Sequence, residues 1–141
     1  MFDSLDIFCH CLPPAYCAAV NRVLTRPSLM FQRAQANRVM TDLDARFRVM
    51  DRFPGYAQVP SLASPTPEQI AHPEQSPDLA RTANDAMAAM VAAHPQRFHS
   101  FVWIEPLDNP DSALREAERA VLSGKARRLL RLNPHVQGSA H

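Results

Sequence analysis

Glycine and cysteine are scarce in this chain, its charge is nearly balanced, and no long apolar run crosses it. Three glycines stand against thirteen prolines, a balance that goes with the richness in alanine and arginine and carries no functional message. The cysteines Cys9, Cys11 and Cys17 are odd in number and crowded into one short stretch, which excludes a disulfide framework and points to reduced thiols in a cytoplasmic protein. Fifteen Lys and Arg against fourteen Asp and Glu give a formal charge of +1, so no specific nucleic-acid partner is implied. No segment approaches the roughly 20 apolar residues that cross a bilayer. Asp3 and Asp6 break the N-terminal stretch where a signal sequence would need an unbroken apolar run, so no membrane partner is expected either.

What is present fits a single domain: 141 residues, 46% of them hydrophobic. Residues 6–16, Asp-Ile-Phe-Cys-His-Cys-Leu-Pro-Pro-Ala-Tyr, read as a short apolar strand that ends near a histidine and stops at a double proline. Side chains alternate along a strand, so Phe8 and His10 share one face while Cys9 and Cys11 take the other. Cys9, His10 and Cys11 therefore cannot converge on one ion.

Further along, residues 15–24 carry a helical stripe and residues 28–42 show no clear period. Leu43, Phe47 and Met50 recur at helical spacing before Phe53-Pro54-Gly55 breaks the chain, and residues 56–62 run as an extended apolar strand. A proline-rich loop at 63–77 leads to a helix expected to start with Ser76 as N-cap and to bury Leu79, Ala83, Met87 and Met90. Residues 98–107 have hardly a polar break, as in a strand covered on both faces. Asn109 is expected to cap a last helix that buries Ala113, Leu114, Ala117 and Val121, with Gly124 ending it. Strands alternating with helices at this rhythm predict an α/β fold with a parallel sheet.

Several of these segments resemble the amidohydrolase superfamily, in particular the branch that contains aminocarboxymuconate-semialdehyde decarboxylase. That branch opens with an Asp, an apolar residue and His-x-His-x-x-Pro, and Asp6, Ile7, His10, Leu12 and Pro13 match it, with Phe8 in place of the first histidine. Asp42, Arg46, Met50 and Asp51 resemble the helix before the family's second strand, and residues 83–86, Ala-Asn-Asp-Ala, resemble a run on the helix after it. Arg97, Phe98 and Ser100 are similar to the family's Arg-Phe-x-Gly opening of a third strand, with Ser100 in the glycine's place. The resemblance, over residues 5–124, implies an incomplete (β/α)8 TIM-type barrel comprising its first three to four βα units with parallel strands.

It also implies a metal-dependent hydrolase or decarboxylase acting on a small carboxylated or aromatic substrate, using a divalent metal such as zinc held at the strand ends. On this chain the resemblance gives only one first-strand metal ligand, His10, since phenylalanine cannot donate to a metal. Arg38, in the variable insertion after the first strand, and Glu105, after the third, are candidate substrate-binding residues; the alternative for each is a solvated surface charge. Catalytic residues are left unassigned. His72 and His94, beside prolines, read as surface residues.

Beyond residue 124 the family continues with an apolar strand, whereas Lys125, Arg127, Arg128 and Arg131 interrupt this one. Residues 1–124 are therefore expected to be the N-terminal part of a barrel and residues 125–141 a divergent basic tail, for which a shifted reading frame is the hypothesis, in a chain well short of the ~250 residues of a whole barrel. A partial barrel has an unpaired sheet edge, so the chain alone is expected to be inactive and to self-associate or aggregate. The alternative function is a non-catalytic interaction or oligomerisation module that uses the sheet edge and the basic tail.

Overall fold

The computed structural model describes residues 2–122 except Trp103 and Glu105. Its frame is a parallel pair of strands, β1 (Ser4–Cys11) and β2 (Tyr56–Leu62), with helices packed on one face. Four helices fill the crossover: α1 (Pro14–Val23), α2 (Leu29–Ala36), α3 (Arg38–Thr41) and α4 (Leu43–Met50). After β2 come α5 (Pro67–Ile70), α6 (Ser76–Ala93) and α7 (Pro110–Leu122).

Local chemistry explains most of these boundaries. The double proline ends β1, and Pro14, whose ring presets a helical φ and whose missing N–H costs nothing in a first turn, starts α1. Residues 28–42 are helical despite lacking a period, because side-chain caps start each piece: Ser28 Oγ accepts from Phe31 N at 3.3 Å and Asn37 Oδ1 from Val39 N at 3.2 Å. Only Phe31 of α2 is buried, so α2 shows no stripe. Asp42 caps α4 by accepting from Asp44 N at 2.9 Å and Ala45 N at 3.1 Å. Gly55 turns the chain into β2 with φ of 72°, a conformation that side chains strain.

The expected third strand is not formed as a regular element. Residues 97–102 run beside β2, with Gln58 N donating to Arg97 O at 3.0 Å and His99 N donating to Gln58 O at 3.0 Å. The next rung needs an N–H from residue 60, which is Pro60 and has none. The ladder lapses there, and Val102 N, one residue out of step, donates to Pro60 O at 2.8 Å. The sheet proper is therefore two-stranded, and the third segment is tied to it by a single parallel bridge between Gln58 and Phe98.

The core lies between the sheet and the helices, with Leu12, Tyr16, Val20, Phe31, Met87 and Phe98 almost wholly buried. Ser76 is the first residue of α6 and not its cap; its hydroxyl donates to Asp108 Oδ1 at 2.6 Å, so a tertiary partner has claimed it. Met90 is only partly buried, and Val91 completes the α6 stripe. On α7, Asn109 Oδ1 accepts from Ser112 N at 3.3 Å as a cap does, but Leu114 is 66% exposed while Glu116 is buried. The reason is Asn84, fully buried on α6: its amide donates to Glu116 Oε1 at 2.9 Å and to Ile104 O at 2.8 Å, and its Oδ1 accepts from Ile104 N at 2.9 Å. This polar latch sets the rotation of α7. Among the described residues no helix is long and apolar enough to cross a membrane.

Candidate active site at the end of the first strand

His10 pairs across the sheet with Ser61, whereas Cys9 and Cys11 pair with Pro60 and Leu62 on the face that meets the helices. Between Asp6 and Cys9, β1 carries one more residue than β2, a bulge that puts Asp6 and Cys9 on one side of the sheet. Asp6 Oδ1 accepts from Phe8 N at 2.9 Å, holding a backbone donor within the bulge. Phe8 and His10 lie together on the sheet face away from the helices, their rings 5.2 Å apart and inclined at 69°, with Phe8 82% exposed.

The state of the His10 ring follows from its neighbour. Ser61 Oγ lies 2.7 Å from His10 Nδ1 and donates its own proton to Cys9 O at 3.2 Å. A hydroxyl has one proton; with that proton on Cys9 O, the hydroxyl accepts from His10 and the ring carries its proton on Nδ1. The lone pair is then on Nε2, which makes no hydrogen bond among the described residues. A histidine held at one nitrogen and open at the other can accept a proton or bind a metal ion.

The surrounding charges are ordered. Asp6 is held below the usual carboxylate range, first by the hydroxyl of Tyr56, which donates to its Oδ2 at 2.7 Å, and then by the Phe8 amide. Burial pushes the Cys11 thiol up to about 12, and burial also raises Cys9 and Cys17, so none of the three is an activated nucleophile. Three buried polar atoms on the segments that follow the strands, Tyr16 Oη, Thr66 Oγ1 and Glu68 Oε2, have no hydrogen-bond partner among the described residues. A cavity of about 380 Å³ lies on the helix side, lined by Leu12, Pro13, Met40, Leu43, Met90 and His94, and is overwhelmingly apolar.

Of the residues singled out from sequence, Arg38 begins α3, is exposed, and pairs with Asp42 at 2.7 Å, a contact of small energetic weight in water. Glu105 and the tail at 125–141 lie outside the described residues. Ser61, which orients His10, is missing from the sequence reading because its partner is visible only once the register of β1 and β2 is known. As a metal site the residues fit only in part: His10 offers one nitrogen, Phe8 offers none, and no three His, Cys, Asp or Glu side chains among the described residues converge on a point. One imidazole gives a divalent ion a weak hold at most.

The family model described as Amidohydrolase matches residues 7–141. The chain belongs to the amidohydrolase family. It is 35% identical over 95 residues to gamma-resorcylate decarboxylase of Rhodococcus jostii strain RHA1, a likeness covering 67% of this chain and 28% of that enzyme. Its structure is similar, with a TM-score of 0.64 and 27% identity, to 2,6-dihydroxybenzoate decarboxylase from Rhizobium, over 86% of this chain and 36% of that one. It is also similar to a dihydroxybenzoic acid decarboxylase from Polaromonas sp. JS666 that holds manganese and the inhibitor 2-nitroresorcinol, with a TM-score of 0.62 and 28% identity over 86% and 36% of the two chains. This amidohydrolase thus spans about a third or less of the length of the relatives it matches. The ion in the Polaromonas structure is manganese, and zinc has no such support. An interaction module finds no support in these likenesses.

Proposed function

We propose that the chain forms the first part of the barrel of an amidohydrolase-type decarboxylase whose substrate is a small hydroxylated benzoate, and that His10 supplies the first-strand ligand to a divalent metal. The observation that carries this reading is the placing of His10 at the C-terminal end of β1, Nδ1 held by Ser61 and Nε2 open, on the face away from the helices. In βα-barrels that end is where sites are built. The decarboxylase relatives support the reaction and the substrate class, since they are named for carboxylated, dihydroxylated rings. An incomplete barrel is the matching architecture: two parallel strands with their helices and a third segment alongside.

In this reading the metal supplies charge to neutralise a substrate carboxylate or phenolate, and further ligands come from outside the described residues. The chain's own part is to hold His10 in one tautomer and to present Phe8 as an apolar wall beside it. Arg38, freed from Asp42, is the proposed partner for the substrate carboxylate, and Glu105 a second substrate contact. The division at residue 124 into barrel part and tail belongs to the same proposal, as does the inactivity of the chain alone.

The test is a chimera in which this chain's matching segment replaces that of the Rhodococcus enzyme. Manganese-dependent loss of carbon dioxide from gamma-resorcylate that disappears on His10→Ala supports the reading. A folded, manganese-loaded chimera whose activity is indifferent to His10 overturns it.

A further inference from the structure

We propose that Arg46 is the positioning residue for His10, acting through one hydrogen-bonded string that ties both ends of the first strand. Arg46 projects from α4 and is only 3% exposed, yet it is no lone buried charge. Its Nε donates to Val39 O at 3.0 Å, its Nη1 to Gln58 Oε1 at 2.7 Å, and its Nη2 to His10 O. Three acceptors on three separate segments match the rigid fork of a guanidinium; an ammonium has neither the reach nor the directions.

Each contact has a consequence for His10. Alternate residues of a parallel strand bond to one neighbour, and Cys11 O already accepts from Ala63 N at 3.0 Å on the β2 side. His10 O and Leu12 N therefore face the opposite edge of β1. Arg46 covers the first, and Met40 O accepts from the second at 2.8 Å. By binding Val39 O as well, Arg46 anchors the residue next to Met40, so one side chain supports both edge contacts.

From Arg46 the string runs on to the bulge. Gln58 Nε2 donates to Tyr56 Oη at 2.9 Å, Tyr56 Oη donates to Asp6 Oδ2 at 2.7 Å, and Asp6 Oδ1 accepts from Phe8 N at 2.9 Å. From Arg46 to Asp6 every donor points the same way, from the guanidinium cation to the carboxylate anion, the arrangement in which successive hydrogen bonds polarise and strengthen one another, and the Phe8 N–H meets that carboxylate from the other side. The bulge decides which way Phe8 and His10 turn, and the string holds the bulge at one end and the His10 peptide at the other.

That His10 is a site residue rests on the proposed function; that Arg46 orients it can be read with no metal or substrate present, so either can fail alone. The experiment is NMR of the ¹⁵N-labelled chain with Arg46→Met, Arg46→Lys and Tyr56→Phe. In Arg46→Met the His10 ring nitrogens should move off the pattern of an Nδ1–H tautomer and the Leu12 amide should exchange about tenfold faster or more, while α6 amides such as Met87 keep their protection. Arg46→Lys should restore less than half of the change. Tyr56→Phe, which removes only the link to Asp6, should move the Phe8 amide and shift the His10 ring in the same direction by less. If Arg46→Met does not fold, the other two variants decide. His10 ring signals unmoved in whichever of these variants are folded would overturn the proposal.

Discussion

Removing the Asn84 amide should release the end of the third segment and α7 together. Asn84 is fully buried and makes three hydrogen bonds, two with the backbone of Ile104 and one to the carboxylate of Glu116. Ordinary buried hydrogen bonds contribute about 1 kcal/mol each and one to a charged group about 1.5–3 kcal/mol; after discount for shared partners, Asn84→Ala should cost about 3 kcal/mol locally. The change leaves Ile104 N and O without a partner, and no strand ladder is there to take them, because Pro60 has already interrupted it. Amide exchange at Ile104 measures that local opening directly. A loss of ~3 kcal/mol corresponds to exchange faster by roughly two orders of magnitude. Trypsin should also cut sooner after Arg115 and Arg119, since α7 loses its buried tie to α6 and keeps the partly exposed pairs of Arg119 with Asp85 and Arg81 with Glu116. Acceleration of less than about threefold at Ile104, with α6 amides intact, would refute the latch as the element that holds this segment.

Ser61→Ala should leave the fold intact and shift His10 from the Nδ1–H towards the Nε2–H tautomer, visible in its ring nitrogen shifts, because the hydroxyl that accepts from Nδ1 is gone. Asp6 titrates low in the folded chain, so its stabilising bonds are complete above the ordinary carboxylate pKa and are lost as pH falls through the lowered folded value. The Phe8 amide shift, followed from pH 6 downward, should therefore move below about pH 4 and not above it. Cys11 should resist alkylation at pH 8 longest among the three thiols, its pKa being pushed to about 12 by burial, and mass spectrometry of a timed iodoacetamide reaction would show the order.

Much of the frame was legible because local signals and global packing agree. The double proline at 13–14, the alternation through 8–11 and the period of Leu43, Phe47 and Met50 each specify one outcome, and β2 falls at the expected 56–62. The failures have a common physical origin in partners distant along the chain. Residues 98–107 carry an excellent strand pattern, but strand formation also depends on the neighbour's N–H groups, and Pro60 withholds one. Leu114 fits the apolar stripe of α7, yet Asn84 draws Glu116 inward and turns Leu114 out. Arg46 stands out in the sequence only as part of the motif with Asp42, Met50 and Asp51, and nothing in its spacing shows that three acceptors on Val39, Gln58 and His10 await it. Of the site itself, His10 and its face shared with Phe8 were readable from alternation, whereas Ser61 needed the register.

The central claim is that His10 presents an open Nε2 on the face where Phe8 stands and supplies one metal donor there. Manganese titration of the ¹⁵N-labelled chain, read as paramagnetic broadening of the histidine rings, tests it most directly. The account predicts that His10 broadens ahead of His72, His94 and His99 with weak apparent affinity, that His10→Ala abolishes this first phase, and that Phe8→His, by adding a second imidazole on the same face, tightens it by about tenfold or more. Uniform broadening of all histidines, with Phe8→His no tighter than the parent chain, would contradict it.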